Sequence, residues 1–338
     1  MKLDLKLLKR LYMIDHPSTQ EHQMTSFIIN YCYKIPNLTF ELDHYGNLFI
    51  TKNTSNPEYY PCLIAHMDQV VTNKGPYGIK IMDGIISGYH KLDGSPCSLG
   101  ADDANGICVA LQLLKTIPNL KCIFTVEEEV GAIGAREATY NVDFLYNVKY
   151  FIQADRRGSS DLITYTNCID VTSPEFLTHI APLMAKYGYT KASGTFTDVG
   201  ELCEETKISG CNVSCGYRKE HTVNEYTVIA DLQNCLNFIE EILLTLTEER
   251  VYEIEIKYNY YGYGYYGGNS VSSGYDFDWI PDAYDDSWDK YDEACAKADG
   301  LFPRDVEEPY QKSIDYESIP CDTCPDMDCK NCKHFNVI

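Results

Sequence analysis

Three short stretches hold residue types that bind metal ions and move protons. Residues 61–68 read Pro-Cys-Leu-Ile-Ala-His-Met-Asp, residues 100–106 read Gly-Ala-Asp-Asp-Ala-Asn-Gly, and residues 125–131 read Thr-Val-Glu-Glu-Glu-Val-Gly. Each sets imidazole or carboxylate at the end of an apolar, strand-like run. Two later residues join them: Asp155, just after 150–154, which reads as a buried strand, and His221, in a loop that follows 208–214. Taken singly, each has an ordinary reading. His66 is then a satisfied structural histidine, Asp102 and Asp103 are helix caps, 127–129 is a solvated face, Asp155 caps a turn against Arg156, and His221 is a loop histidine. Taken together they offer two imidazoles and several carboxylates, a donor set suited to zinc-class ions. Two divalent ions about 3.5–4 Å apart need a carboxylate that bridges them, a water between them and a base for its proton. Adjacent glutamates can divide that work, one as ligand and one as base.

Such a set needs a frame. Leucines across 3–14 predict a first helix. Ser18-Thr19-Gln20-Glu21 reads as a capping box for a second, whose apolar stripe is Met24, Phe27, Ile28 and Tyr31. Residues 38–42 and 47–52 read as strands around the turn 43–46. Residues 62–65 are apolar throughout, as in a central strand buried on both faces, and 121–126, 150–154 and 208–214 read as further strands. Ile107, Ala110, Leu111 and Leu114 mark a helix that starts near 102–105. Residues 69–100 read as loops and short strands, 173–187 as a helix, and 228–246 as a long amphipathic helix with Thr227 as its candidate cap. Alternating strands and helices predict an α/β layered domain with a largely parallel sheet. Ligands bind beyond the carboxyl ends of such strands, where His66, the glutamate run and Asp155 all fall.

Composition narrows the function classes. In 338 residues, 44% are apolar, enough for a real core. The net charge of −22 disfavours a nucleic-acid partner. No run approaches the length needed to cross a bilayer, and the first residues lack a signal peptide's apolar core, so neither a membrane nor export is expected. Ten cysteines scattered over 1–250 then read as reduced core thiols in a cytoplasmic protein. Character changes near 250: residues 251–338 hold 19 acids against 7 bases, and 12 of the 28 tyrosines. The expectation is a folded domain over 1–250 and an acidic, Tyr/Gly-rich and Cys-rich appendix over 251–338, partly disordered and free to meet a protein partner. Within it, Cys321, Cys324, Cys329 and Cys332 form Cys-x2-Cys-x4-Cys-x2-Cys, a candidate structural zinc site.

In chain order, His66-x-Asp68, Gly100-Ala-Asp102-Asp103-x-x-Gly106, Glu128-Glu129-Val-Gly-x-x-Gly-Ala135, Asp155 and His221 resemble the co-catalytic zinc exopeptidases. That group includes peptidase T, the acylases, and the tetrahedral and leucyl aminopeptidases. Asp43-x-x-Gly-Asn-Leu48 resembles the turn ahead of the group's first metal histidine. The resemblance implies a three-layer α/β/α, phosphorylase/hydrolase-like fold and two divalent ions, zinc foremost, with cobalt or manganese as alternatives. It implies that His66 and Asp155 hold one ion, that Glu129 and His221 hold the other, and that Asp102, rather than Asp103, bridges them. Asp68 would orient His66, and Glu128 would be the general base that takes a proton from water and returns it to the departing amine. Asp198, in Gly-Thr-Phe-Thr-Asp-Val-Gly, resembles a segment lining substrate pockets, or else caps a turn. The group's larger members insert a lid domain, for which the gaps of this chain leave no room. The expectation is therefore a bare catalytic domain acting on a peptide or small amide, as an aminopeptidase or dipeptidase. The alternatives are an N-acyl amidohydrolase or carboxypeptidase, or a non-catalytic metal-dependent binding protein that works through its tail.

Overall fold

The computed structural model describes residues 1–256. The tyrosine-rich and acidic segments and the four-cysteine set at 321–332 lie outside the described residues. The chain begins with α1 (Leu5–Leu11), where the Asp4 carboxylate accepts from the N–H groups of Lys6 and Leu7 and Leu7, Leu8 and Leu11 turn inward. It continues with α2 (His22–Cys32), β1 (Leu38–Leu42) and β2 (Leu48–Lys52). The β1–β2 turn is built on Asp43, whose Oδ1 accepts from the N–H groups of Tyr45, Gly46 and Asn47. Gly46 sits at φ +113°, a conformation that favours glycine.

Then come β3 (Tyr60–His66), β4 (Tyr77–Met82), β5 (Ile85–His90), β6 (Pro96–Cys97), α3 (Ala101–Thr116), β7 (Leu120–Thr125), α4 (Ile133–Ala138) and α5 (Val142–Leu145). The rest is β8 (Val148–Arg156), β9 (Asp161–Thr166), β10 (Ile169–Asp170), α6 (Pro174–Tyr187), β11 (Thr190–Ser193), α7 (Asp198–Thr206), β12 (Gly210–Ser214), β13 (Tyr217–Arg218), β14 (Tyr226–Val228) and α8 (Ile229–Thr245).

The main sheet has the order β1-β2-β7-β3-β8-β12-β9-β10, with β11 on β9. Its four middle strands, β7, β3, β8 and β12, run parallel, and antiparallel strands flank them. Every residue of β3 and β7 is buried. The period-two rule then splits β3 between two cores. Leu63 and Ala65 pack with α1, α3 and α8, whereas Cys62 and Ile64 join the opposite cluster with α5 and α7. Helices therefore cover both faces, as an α/β/α layering requires.

Residues 69–100 form more than loops. Strands β4, β5 and β6 combine with β13 and β14 in a second, small sheet of order β13-β14-β5-β4 with β6 on β5. In it Tyr226 pairs with Ser87, so this segment is tied directly to the turn that carries His221.

Two capping assignments are corrected. Helix α2 starts at His22, and Ser18 Oγ instead donates to Asp68 Oδ2 at 2.7 Å. Glu21 accepts from the Thr19 and Glu127 N–H groups. Thr227 does not cap α8, which begins behind Val228; its Oγ1 accepts from the Tyr12 hydroxyl at 2.8 Å. In both places a buried polar group needs a distant partner, and that demand outranks a local cap. Among the described residues no helix is long and apolar enough to cross a membrane.

His16 is fully buried beside the 67–69 segment, where its carbonyl accepts from Gln69 N–H. Burial pushes its imidazole down to about 4. A group whose folded pKa lies below its unfolded value near 6.5 binds its proton first in the unfolded chain. Stability is therefore lost as pH falls from about 6.5 to about 4, by up to about 3 kcal/mol. Denaturant unfolding of wild type and His16→Met across this window checks it. The stability of wild type relative to the variant should fall on acidification; a pH-independent difference contradicts the prediction.

Candidate metal centre

The parallel strands deliver the candidate ligands to one edge. His66 is the last residue of β3, Asp155 is next to last in β8, and the glutamate run follows β7. His221 arrives on the turn between β13 and β14, with φ +59°. Asp102 opens α3 in a non-helical conformation, φ −84° and ψ 100°, so its side chain leaves the helix path.

Two glycines in the motifs owe their identity to close approach. A Cβ on Gly134 would lie 2.1 Å from the Val126 carbonyl oxygen, and one on Gly106 would lie 2.4 Å from the Asp103 carboxylate. Gly134 N–H donates to that Val126 carbonyl. Asn47 locks the same corner: its Oδ1 accepts from Val126 N–H, and its Nδ2 donates to the Gly134 carbonyl. Conserving backbone contact here fixes where the next three residues, Glu127–129, must start.

The three glutamates then separate. Glu127, at φ +56°, turns to accept from the Tyr45 hydroxyl at 2.6 Å. Glu128 and Glu129 turn toward His66, and donor atoms of the three lie within 4.8 Å of one another. Asp68 ties this loop to His66. Its carboxylate accepts from the Glu128 and Glu129 N–H groups and lies 3.3 Å from His66 Nδ1. Its carbonyl is 3.0 Å from the same nitrogen, so Nδ1 carries the proton and Nε2 faces the carboxylates.

Asp102 lies between the two imidazoles. Its Oδ1 is 3.0 Å from His66 Nε2, which is also 3.6 Å from Asp155 Oδ1. Its Oδ2 is 3.3 Å from His221 Nε2, which is also 3.0 Å from Glu129 Oε2. One ring nitrogen facing two carboxylates exceeds what a single N–H can serve. Ligands of a tetrahedral ion bonded at roughly 2.0–2.2 Å stand about 3.3–3.6 Å apart, close to these spacings. The donor set thus fits two cations: one among His66, Asp155 and Asp102, the other among Asp102, Glu129 and His221.

Charge argues the same way. Burial, then the neighbouring Asp155, pushes the Glu128 carboxyl well above the usual range. Burial and then Asp102 raise both Asp155 and Glu129. Burial also works against ionised Asp102, but hydrogen bonding with His221 and His66 outweighs it and holds that carboxylate far down. The same bonds, to Asp102 and then Glu129, push His221 up to about 11. A cluster that holds its imidazoles so strongly protonated is one that calls for positive charge. Asp103 adds to it. One carboxylate oxygen accepts from Gly106 N–H, and the other is buried without a partner among the described residues, within reach of His66 and Asp155.

Asp198 is fully buried close to Glu128 and His66. It opens α7 with no exposed surface, and its Oδ2 accepts from Thr125 Oγ1 at 2.5 Å, bracing the end of β7. Burial raises its carboxyl to about 7. Three supports escape the sequence reading. Gln153 Nε2 donates to Asp155 Oδ2 and the Tyr217 hydroxyl to Asp155 Oδ1. Glu225 grips the segment before Asp102. Only Glu225 has a usable signal, its place four residues after His221.

The family model for M42 glutamyl aminopeptidases matches residues 76–238, a span that holds Asp102, Glu128, Glu129, Asp155 and His221. Comparison with curated proteins by sequence finds no match. Among solved structures, aminopeptidase PepT from Bacillus cereus aligns with TM-score 0.56 at 17% identity, over 70% of this chain and 97% of that one. A tripeptidase from Staphylococcus aureus aligns with TM-score 0.57 at 16% identity, over 71% and 96%. The Pyrococcus horikoshii TET1 peptidase, which can assemble into a tetrahedron or a large octahedral shell, aligns with TM-score 0.53 at 16% identity, over 72% and 99%. At such identities the structural likeness establishes the fold. Together with the family model, it bears out the resemblance to co-catalytic zinc exopeptidases read from the sequence.

Proposed function

We propose that the chain is a two-zinc exopeptidase that removes residues from the free amino end of short peptides, as an aminopeptidase or dipeptidase. The observation that carries this reading is the division of Asp102, one oxygen toward His66 and Asp155 and the other toward His221 and Glu129. A single carboxylate shared by two imidazole–carboxylate pairs is what a bridged ion pair requires. Ions bound there would polarise the scissile carbonyl and make the attacking water acidic at neutral pH. The chain's own residues supply the rest. Asp68 holds His66 in one tautomer and, through the Glu128 and Glu129 N–H groups, fixes base and ligand relative to it. Glu128, pushed up by burial, takes a proton from water and gives it to the leaving amine.

Between His66 and Asp102, where a lid would be inserted, the regular elements are only the short strands β4, β5 and β6, and 156–220 is taken up by strands β9–β12 with helices α6 and α7. With no lid among the described residues to grip a substrate carboxylate, the acidic mouth favours an ammonium end.

The test pairs two measurements on the full chain: metal content, and hydrolysis of an aminoacyl anilide with a free or an acetylated amine. Two ions at this centre and preference for the free amine are expected. Preference for the acetylated substrate rejects the aminopeptidase reading, and a chain that retains no metal rejects the reaction class.

A further inference from the structure

We infer that Glu225 is a positioning residue that couples the outermost ligand, His221, to the bridging Asp102, and that it governs retention of the second ion. This rests on the two-ion reading above.

Glu225 is 2% exposed, and the hydrogen bonds to its carboxylate come from donors of residues 98–102. Its Oε2 accepts from Ser98 Oγ at 2.7 Å and Leu99 N–H at 3.0 Å, and its Oε1 accepts from Asp102 N–H at 3.1 Å. Ser98 Oγ in turn accepts from Gly100 N–H at 3.2 Å. One carboxylate thus organises residues 98–102, a segment that contains a left-handed Gly100 and the non-helical Asp102 and so lacks regular partners for its N–H groups. Satisfying the start of α3 with a carboxylate is favourable in itself. Here, however, the carboxylate comes from a turn more than a hundred residues later.

That turn also carries His221. Glu225 N–H donates to the Thr222 carbonyl, and β14 then pairs Tyr226 with Ser87. The tie therefore runs from His221 through Glu225 to the backbone of Asp102. His221 is the most exposed of the five candidate ligands, with its side chain 46% accessible, and no other described hydrogen bond from its ring fixes it apart from those to Asp102 and Glu129.

The two ion positions depend on this tie unequally. His66 is held by Asp68, and Asp155 by Gln153 and Tyr217. The first position thus has two ligands placed without Glu225, whereas the second has two of three, Asp102 and His221, placed through it.

The experiment is stepwise titration of the apo full-length chain with Zn²⁺ against a competing chelator, with Cys321, Cys324, Cys329 and Cys332 changed to Ser throughout so that the tail takes no ion, comparing the otherwise wild-type chain, Glu225→Gln and Ser98→Ala, with thermal unfolding of each. In Glu225→Gln, the amide nitrogen must face an N–H or O–H donor. The second ion should bind about 10–100-fold more weakly, the range for outer partners of a metal ligand, while the first shifts by less than about threefold. Activity should recover as free Zn²⁺ is raised. Ser98→Ala, which removes one donor and leaves the apolar core untouched, should give a smaller shift in the same direction and serves if Glu225→Gln unfolds. Unchanged second-ion affinity in both variants overturns the inference, as does equal weakening of both ions. If wild type itself takes up fewer than two ions, the two-ion reading fails instead.

Discussion

Glu128→Gln is expected to lower kcat by about 10²–10⁴-fold while zinc content and KM stay near wild type. The range is what positioned proton transfer contributes. Glutamine keeps the shape of the side chain, and its backbone N–H still donates to Asp68, so the loop should not move. No stability loss should accompany the change. Burial and the nearby Asp155, Asp198 and Glu129 all work against a charge at this position, and a neutral amide removes one member of that crowd. The result that removes Glu128 from the reaction is an anilide-hydrolysis rate close to wild type in a variant that retains its metal. A combined loss of metal and activity would make it a ligand instead, a role compatible with its grouping beside His66 and Glu129.

Asp102→Asn should do more. The amide keeps one oxygen and turns its nitrogen to the other side, so whichever way it sits, one ion loses a ligand and both lose the shared negative charge. Metal content should drop by at least one ion relative to wild type, and activity should fall by at least about 10³-fold, because several kcal/mol of transition-state charge stabilisation go with the ions. A second readout is thermal. A ligand that binds only the folded state raises stability by about 2.7 kcal/mol at a hundred times its Kd, so wild type should unfold at higher temperature when Zn²⁺ is added. In Asp102→Asn that rise should shrink or vanish. Retention of two ions by this variant would pass the bridging role to Asp103, whose unpartnered oxygen lies close to His66 and Asp155.

The candidate ligands were legible because a buried parallel strand announces itself. A run of apolar residues leaves polar residues at the strand end conspicuous, as with His66 at the end of β3 and Glu127–129 beyond β7. Asp155 follows from the same rule, whereas His221, in a turn of the small sheet, owes its assignment to the resemblance. The layered α/β frame was legible from alternation alone. What the sequence hid was the destination of short polar side chains. Ser18 and Thr227 have the types and positions of helix caps, yet Ser18 serves Asp68 and Thr227 serves Tyr12. Local pattern cannot tell a cap from a long-range partner, because the hydroxyl satisfies either equally well. The small sheet was hidden for a related reason. Its strands belong to two segments more than a hundred residues apart, and strands as short as Tyr217–Arg218 leave no periodicity to detect.

The grip of Glu225 on residues 98–102 also sets an order in time. A chain still being made can complete β3, α3, β7 and β8, and with them His66, Asp102 and Asp155, before residue 225 has left the ribosome. Contacts of such long sequence separation close late, and domains generally fold as units during synthesis. Two of the three donors proposed for the first ion, His66 and Asp155, can thus be brought together on a partly made chain, whereas Asp102 waits for Glu225. The second ion position exists only after the turn at 217–228 has docked against β5, which makes occupancy of that position a marker that the domain is finished.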